Sequence, residues 1–268
     1  MKRFQGKNIV ITGASKGIGT EIARQLSLQG ARLILVSRDM RALTRVREDL
    51  ITENKNAQIE LIPCDLGDLR QIEVAAKKII SIMPSIDGLV NNAGYARPGY
   101  FHELPIDEFE KAITVDYLGA VRLTRLLIDA IATHGFISVT SSVVGYMGVF
   151  GYSSYAGAKF ALIGFAETLR QELAERKIQI SVLCPPDTQT PGYEEENKTK
   201  PKETLALSAN AKLMTAADVA KKFIRGVSKG KFIITCNFES AMLYRLHGIM
   251  PSLVFRIMMS MINKAKKT

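Results

Sequence analysis

Asn8-Ile-Val-Ile-Thr12 runs without a break into Gly13-Ala-Ser-Lys-Gly17-Ile-Gly19, and the reading of this stretch decides the fold. The first five residues are a short apolar run of the kind that forms a buried strand. From Thr20 to Gln29 the apolar residues Ile22, Ala23 and Leu26 recur with helical spacing, and Gly30 follows as a C-terminal stop. The order is therefore strand, glycine turn, helix. Glycines accept positive φ and let backbone approach a ligand closely. The start of the helix adds unpaired N–H groups and a partial positive charge. Together these predict a dinucleotide site whose turn comprises Gly13, Ser15, Lys16, Gly17, Ile18 and Gly19.

The same alternation continues along the chain. Residues 32–37, 59–64, 86–91, 135–141, 178–184 and 231–235 read as further strands. Helical patterns separate them near 40–54, 68–83, 107–133 and 154–176. Strands alternating with helices imply parallel pairing and right-handed crossovers. The expected fold is α/β: a single Rossmann-type doubly wound parallel sheet with helices on both faces, plus an apolar helical C-terminal tail. Ligands of such sheets bind beyond the C-terminal ends of the strands. The glycine turn, Asp65, Asn91, Ser142 and Pro185 all fall at such ends. The 268 residues suit one catalytic domain over 1–236, with a loop or lid at 185–215 and an extension over 237–268.

Composition narrows the function. Hydrophobic residues make up 47% of the chain, enough for a sizeable core. No uncharged apolar run reaches the twenty residues of a bilayer span, and Lys2 and Arg3 lead almost directly into the first strand, so a cytoplasmic protein without a signal peptide is expected. Cys64, Cys184 and Cys236 are far apart and read as reduced core thiols. His102, His134 and His247 lack metal-ligand spacing, and no nucleic-acid motif accompanies the net charge of +10.

Tyr155 and Lys159, in Tyr155-Ala-Gly-Ala-Lys159, carry the chemistry. Residues four apart share a helix face. An ammonium beside a phenol favours phenolate and lowers its pKa, suiting the phenol to exchange a proton with a carbonyl/alcohol pair.

With the G-x-x-x-G-x-G turn, this pair resembles the short-chain dehydrogenase/reductase family over roughly residues 7 to 235. Cys64-Asp65-Leu66 is similar to the family's adenine contact, and Asn91-Asn-Ala-Gly94 to the segment after its fourth strand. Ser141-Ser-Val-Val-Gly145 stands at the family's catalytic distance from Tyr155, with Ser142 as the matching serine. The resemblance implies a nicotinamide cofactor contacted by Asp65, Leu66, Asn91, Ala93, Tyr155 and Lys159. It also marks a departure: the family usually has an asparagine where Thr114-Val-Asp116 places Asp116, which leaves the proton relay it serves in doubt.

The second strand ends in Ser37-Arg38, where an acidic residue would bind a ribose 2′-hydroxyl. A guanidinium there suits a 2′-phosphate, with Lys16 and Arg41 as further cations and Asp39 as a contrary charge. NADP(H) is the expected cofactor. In the expected mechanism Tyr155 donates the proton, Ser142 orients the carbonyl, and Lys159 lowers the tyrosine pKa and binds the ribose.

After the sixth strand the chain reads Pro185-Pro-Asp-Thr-Gln-Thr-Pro-Gly192, then Tyr193-Glu-Glu-Glu-Asn-Lys-Thr-Lys-Pro201. This run, with Tyr117-Leu-Gly119 and Gly148-Val-Phe-Gly151, resembles the 3-ketodihydrosphingosine reductase branch of the family, which implies NADPH-dependent reduction of 3-ketosphinganine, a long-chain lipid ketone. Thr188 and Thr190 are expected to reach the cofactor. The run from Glu194 to Lys202 reads chiefly as a solvated face, with Glu194, Glu195 and Glu196 as an alternative ammonium site. Residues 241–268 are rich in Leu, Ile, Met and Phe and end in lysines. They are expected to pack on the domain, join subunits of a homo-oligomer (dimer or tetramer), or lie peripherally on a membrane face. The same catalytic set would serve a 3-oxoacyl-thioester, general ketone or steroid reductase. A non-catalytic NADP-binding regulator is the alternative of another class.

Overall fold

Strands buried on both faces read as unbroken apolar runs, and the runs expected from the sequence pair in one sheet. The computed structural model of the chain describes residues 3–209 and 212–267. β1 (Asn8–Thr12) leads into α1 (Gly17–Leu28), followed by β2 (Arg32–Ser37), α2 (Met40–Glu53), β3 (Gln58–Pro63), α3 (Leu69–Ile82) and β4 (Ile86–Asn91). Then come α4 (Ile106–Ala112), a π-helical turn (Ile113–Leu118), α5 (Gly119–Leu127), β5 (Ile131–Thr140), α6 (Ser153–Glu172) and β6 (Gln179–Cys184). The last part holds β7 (Thr188–Gln189), α7 (Pro191–Asn197), α8 (Lys202–Ser208), β8 (Met214–Thr215), α9 (Ala216–Ser228), β9 (Ile233–Thr235), α10 (Phe238–Ile249) and α11 (Pro251–Lys267).

The main sheet has the strand order β3-β2-β1-β4-β5-β6-β9, all parallel. Chain direction across the sheet reverses between β1 and β4, and this switch point opens the crevice where ligands of such sheets bind. Period-two alternation splits the core into two layers. Val10 of β1 joins the layer containing Ile72, Ile79, Leu123 and Leu162, while Ile9 and Ile11 join the layer with Ile22, Leu26, Leu43 and Phe223. The three cysteines are buried and free, in agreement with their reading as core thiols.

Two expected helices end early. The pattern over 107–133 breaks into α4, the π-helical turn and α5, and residues 131–133 belong to β5. The Arg176 guanidinium donates to the carbonyl of Ile128 at 3.0 Å and also to that of Ile131, satisfying the helix end from a distant position that periodicity does not reveal. The helix expected over 154–176 stops at Glu172, and Lys177 turns the chain with a φ of 54°.

The tail is two helices docked on the domain. Tyr146 Oη donates to the Ser240 carbonyl at 3.0 Å, and its ring meets Tyr244 edge-on. α11 lies along α8 and buries Val254, Ile262 and Ala265. Ile249, Phe255 and Ile257 remain exposed, beside the exposed Arg256, Lys264, Lys266 and Lys267. Among the described residues, no helix is long and apolar enough to cross a membrane.

Candidate active site

The glycine turn links β1 to α1 at the switch point. Gly13 has a φ of 65°, and a Cβ there would lie 2.7 Å from Ala93 Cα, so only glycine lets the turn close against the end of β4. Thr12 fastens this junction: its hydroxyl accepts from Asn92 N at 3.0 Å and Ala93 N at 3.1 Å. Asn92 Nδ2 donates to the carbonyls of Thr12 and Gly13. Asn91 does not face the crevice. It is buried and donates to Thr124 Oγ1 at 2.9 Å, because the last strand residue points toward α5 while the next one points to the turn. Its side chain is thereby committed to α5, and Asn92 holds the turn. Leu66 likewise turns its side chain into the core.

The crevice fits a dinucleotide on two observations. Helices α2, α3, α9 and α10 are capped by the side chains of Asp39, Asp68, Thr215 and Asn237, whereas α1, like α6, has no side-chain cap and no acidic residue in its first turn. Its N–H groups are left for an external anion such as a pyrophosphate. At the rim, Arg38 projects beside Asp65 at 3.8 Å and is largely exposed, with Lys16 and Arg41 also exposed. Asp39 is engaged by Ala42 N at 3.0 Å as the α2 cap. Ser15 and Ser37 join hydroxyls at 2.8 Å between these cations and the turn. Thr190 lies over Gly17 and spends its hydroxyl capping α7, while Thr188 donates to the Pro186 carbonyl at 2.7 Å. Pro185 accepts from Val143 N at 3.2 Å and so ties β6 to the turn carrying Ser142.

The catalytic candidates meet where β5, α6 and the π-helical turn converge. Ser141 Oγ donates to the Lys159 carbonyl at 2.8 Å, drawing the end of β5 onto α6. Ser142 Oγ accepts from Val144 N at 3.2 Å and so caps the short turn over Val143–Gly145, close enough to the Tyr155 phenol to draw its pKa down. Lys159 is 2% exposed and Asp116 fully buried; their charges lie 3.1 Å apart. Lys159 Nζ also donates to the Thr140 carbonyl at 3.0 Å, and Asp116 Oδ1 accepts from Tyr95 N at 2.8 Å. Gly94 makes room for this pair: a Cβ there would lie 3.0 Å from Lys159 Nζ and 3.3 Å from the carboxylate. The wide π-helical turn presents Asp116 to it, an interruption common at functional sites.

The charges around Tyr155 differ from those expected. Burial pushes the phenol well above its ordinary range; the Asp116 charge raises it further, as do Glu196 and Asp187, while Ser142 draws it down. Lys159 Nζ lies 5.1 Å from the Tyr155 ring centroid, but its charge is matched by Asp116. An asparagine at 116 would leave that ammonium uncompensated. The lowering expected from the Lys159 ammonium is opposed here by the Asp116 charge beside it. Burial holds the Asp116 carboxyl up, against the pull of Lys159.

The lid adds groups that the sequence reading left on a solvated face. Glu194 and Glu195 are exposed, but Glu196 turns inward and accepts from Tyr152 Oη at 3.0 Å. Asp187 accepts from Tyr193 Oη at 3.2 Å and lies 4.0 Å from the buried ammonium of Lys200. Tyr152, whose ring stands 5.9 Å from that of Tyr155, connects the lid to the catalytic residues.

Residues 7–201 match the family model described as short chain dehydrogenase. The chain is 38% identical over 250 residues to the 3-ketodihydrosphingosine reductase of Dictyostelium discoideum, covering 87% of this chain and 75% of that one. It is 36% identical to the 3-dehydrosphinganine reductase of Danio rerio, covering 91% and 75%. Among solved structures, an alcohol dehydrogenase of the archaeon Thermococcus sibiricus, complexed with 5-hydroxy-NADP, superposes with a TM-score of 0.75 at 26% identity, covering 86% of this chain and 96% of that one.

The Asp116 charge disfavours the phenolate, so Asp116→Asn is expected to lower the Tyr155 pKa. In an ultraviolet titration with Tyr155→Phe as the blank, the Tyr155 phenolate should form at lower pH in the Asn variant. An unchanged or higher titration would contradict the charge arrangement.

Proposed function

The chain belongs to the short-chain dehydrogenase family, and from that premise we propose that it reduces 3-ketosphinganine to sphinganine with NADPH. The observation that carries the reaction type is the convergence of Ser142, Tyr155 and Lys159 beyond the strand ends, on the crevice that fits a dinucleotide. The substrate class rests on the sphingoid reductases that resemble this chain over most of its length. NADP(H) rather than NAD(H) rests on Arg38, Lys16 and Arg41 at the rim, with Asp39 drawn away as a helix cap.

When bound, the nicotinamide supplies hydride to the ketone carbon. The residues of this chain handle the oxygen. The Ser142 hydroxyl donates to it and fixes its position. Tyr155 delivers the proton, and a phenol held above its ordinary range is protonated at neutral pH, as reduction requires. Lys159, fixed by Asp116 and the Thr140 carbonyl, is placed to hold the nicotinamide ribose. Residues 185–209 are placed to cover the substrate as a lid; positions 210–211 of the expected lid lie outside the described residues. A 3-oxoacyl-thioester reductase would use the same catalytic residues, but nothing at the site favours it over the sphingoid ketone.

The extension over 237–268 has a proposed part in delivery. α11 packs on the lid helix α8 while turning Phe255, Ile257 and several cations outward. This combination suits peripheral contact with anionic lipid, where a long-chain ketone resides.

Two measurements test these readings. Tyr155→Phe should bind NADPH close to the parent chain, about ten-fold or more tighter than NADH, as expected for a guanidinium bonded to a phosphate. Its turnover should fall about 10³-fold, within the range of general acid catalysis. Retained turnover would remove Tyr155 from its role, and equal affinity for NADH would remove Arg38 from its own. Separately, anionic vesicles should sediment the intact protein, and deletion of 241–268 should abolish this. If vesicles fail to sediment it and the deletion changes only the oligomeric state, α10 and α11 form a subunit interface instead.

A further inference from the structure

Five charged side chains crowd the ground around Tyr155, and they do not balance. Asp116 is matched by Lys159 at 3.1 Å. Asp187 is matched by Lys200 at 4.0 Å; the Lys200 ammonium is buried over the Tyr193 ring and has no hydrogen-bond partner among the described residues. Glu196 is left over. Its only side-chain bond among the described residues is the one from Tyr152 Oη, at 3.0 Å, to Oε2. The site thus carries one negative charge more than its cations match, held on the inner face of the lid.

We propose that Glu196 is the specificity-determining residue of this site and that it pairs with the ammonium group of an α-amino ketone. The inference rests on the sphingoid reading above. In 3-ketosphinganine the amine-bearing carbon is bonded directly to the ketone carbon. A ketone oxygen placed between Ser142 Oγ and Tyr155 Oη therefore brings the ammonium into the neighbourhood of Tyr155. The residue adjoining Tyr155 on the lid side is Tyr152, and Glu196 is bonded to it. Glu194 and Glu195, one and two positions earlier on α7, face solvent, so the helix presents a single carboxylate to the site.

The electrostatics agree with this placement. Burial raises the Glu196 carboxyl above its ordinary range, opposed by the Tyr152 hydrogen bond and the Lys200 charge. A substrate cation would restore the interactions that desolvation removes. A neutral ketone or an acyl thioester would instead leave the carboxylate desolvated and unpaired, which penalises the wrong substrate as well as favouring the right one. Lys200 serves as the fixed counter-charge: it lies 4.0 Å from Asp187 and its charge is shared with Glu196, so one cation stands against two carboxylates.

The test compares 3-ketosphinganine with its N-acetylated form, which keeps the ketone and loses the charge. The parent chain should prefer the free amine. Glu196→Gln should raise KM for the free amine about 30-fold, the equivalent of one hydrogen bond to a charged group, with a much smaller change in kcat. The ratio of kcat/KM between free and acetylated ketone should fall by a similar factor. Glu196→Asp should give an intermediate ratio, and NADPH binding by both variants reports that they are folded. Glu194→Gln and Glu195→Gln should leave the ratio where it was. If the parent chain reduces the free amine and Glu196→Gln keeps the parental ratio, the role of Glu196 is overturned while the sphingoid reading stands. If the parent chain reduces neither ketone, the sphingoid reading fails and this assignment falls with it.

Discussion

A buried lysine needs a partner, and in this protein the partner is Asp116. The cost of removing two charges from water is offset only if their geometry is good and their remaining hydrogen-bonding positions are filled. Lys159 gains the Thr140 carbonyl and Asp116 Oδ1 gains Tyr95 N, while Asp116 Oδ2 has the ammonium at 3.1 Å and no hydrogen bond among the described residues. The pair therefore joins four parts of the fold: the end of β5, the middle of α6, the segment after β4 and the π-helical turn. Gly94 packs against it without a side chain, where even a Cβ would press on the ammonium at 3.0 Å. The pair also sets the chemistry, since a matched ammonium exerts less pull on Tyr155 than an unmatched one. The phenol stays protonated, and the site is biased toward giving a proton rather than taking one.

The lid is built on this frame. Thr190 rests over the glycine turn, and Thr204 Oγ1 donates to the Phe150 carbonyl at 2.8 Å. Tyr100 Oη donates to Glu203 at 2.9 Å. These bonds tie the covering helices to the loops that precede α4 and α6. Because α11 packs on α8, whatever the tail contacts is mechanically adjacent to the substrate entrance.

Much of this was legible in the sequence because it depends on local pattern. The strand–turn–helix at residues 8–28, the alternation of later strands and helices, and the four-residue spacing of Tyr155 and Lys159 all follow from periodicity. What was not legible depends on side-chain direction and on distant partners. Asn91 and Asn92 are chemically identical, and only the pleat decides which one reaches the turn. The helix after α4 ends where Arg176 supplies donors, a residue far along the chain. Glu196 sits in a run of three glutamates, and the winding of α7 selects one. The substitution at 116 was visible, but not that its carboxylate would take the lysine's charge as its own partner.

The central claim is tested most directly by following NADPH oxidation in detergent micelles with 3-ketosphinganine beside an acetoacetyl thioester. Efficient turnover of 3-ketosphinganine, with the thioester poor or inert, is the predicted result. Preference for the thioester, or turnover of neither despite tight NADPH binding, would contradict it.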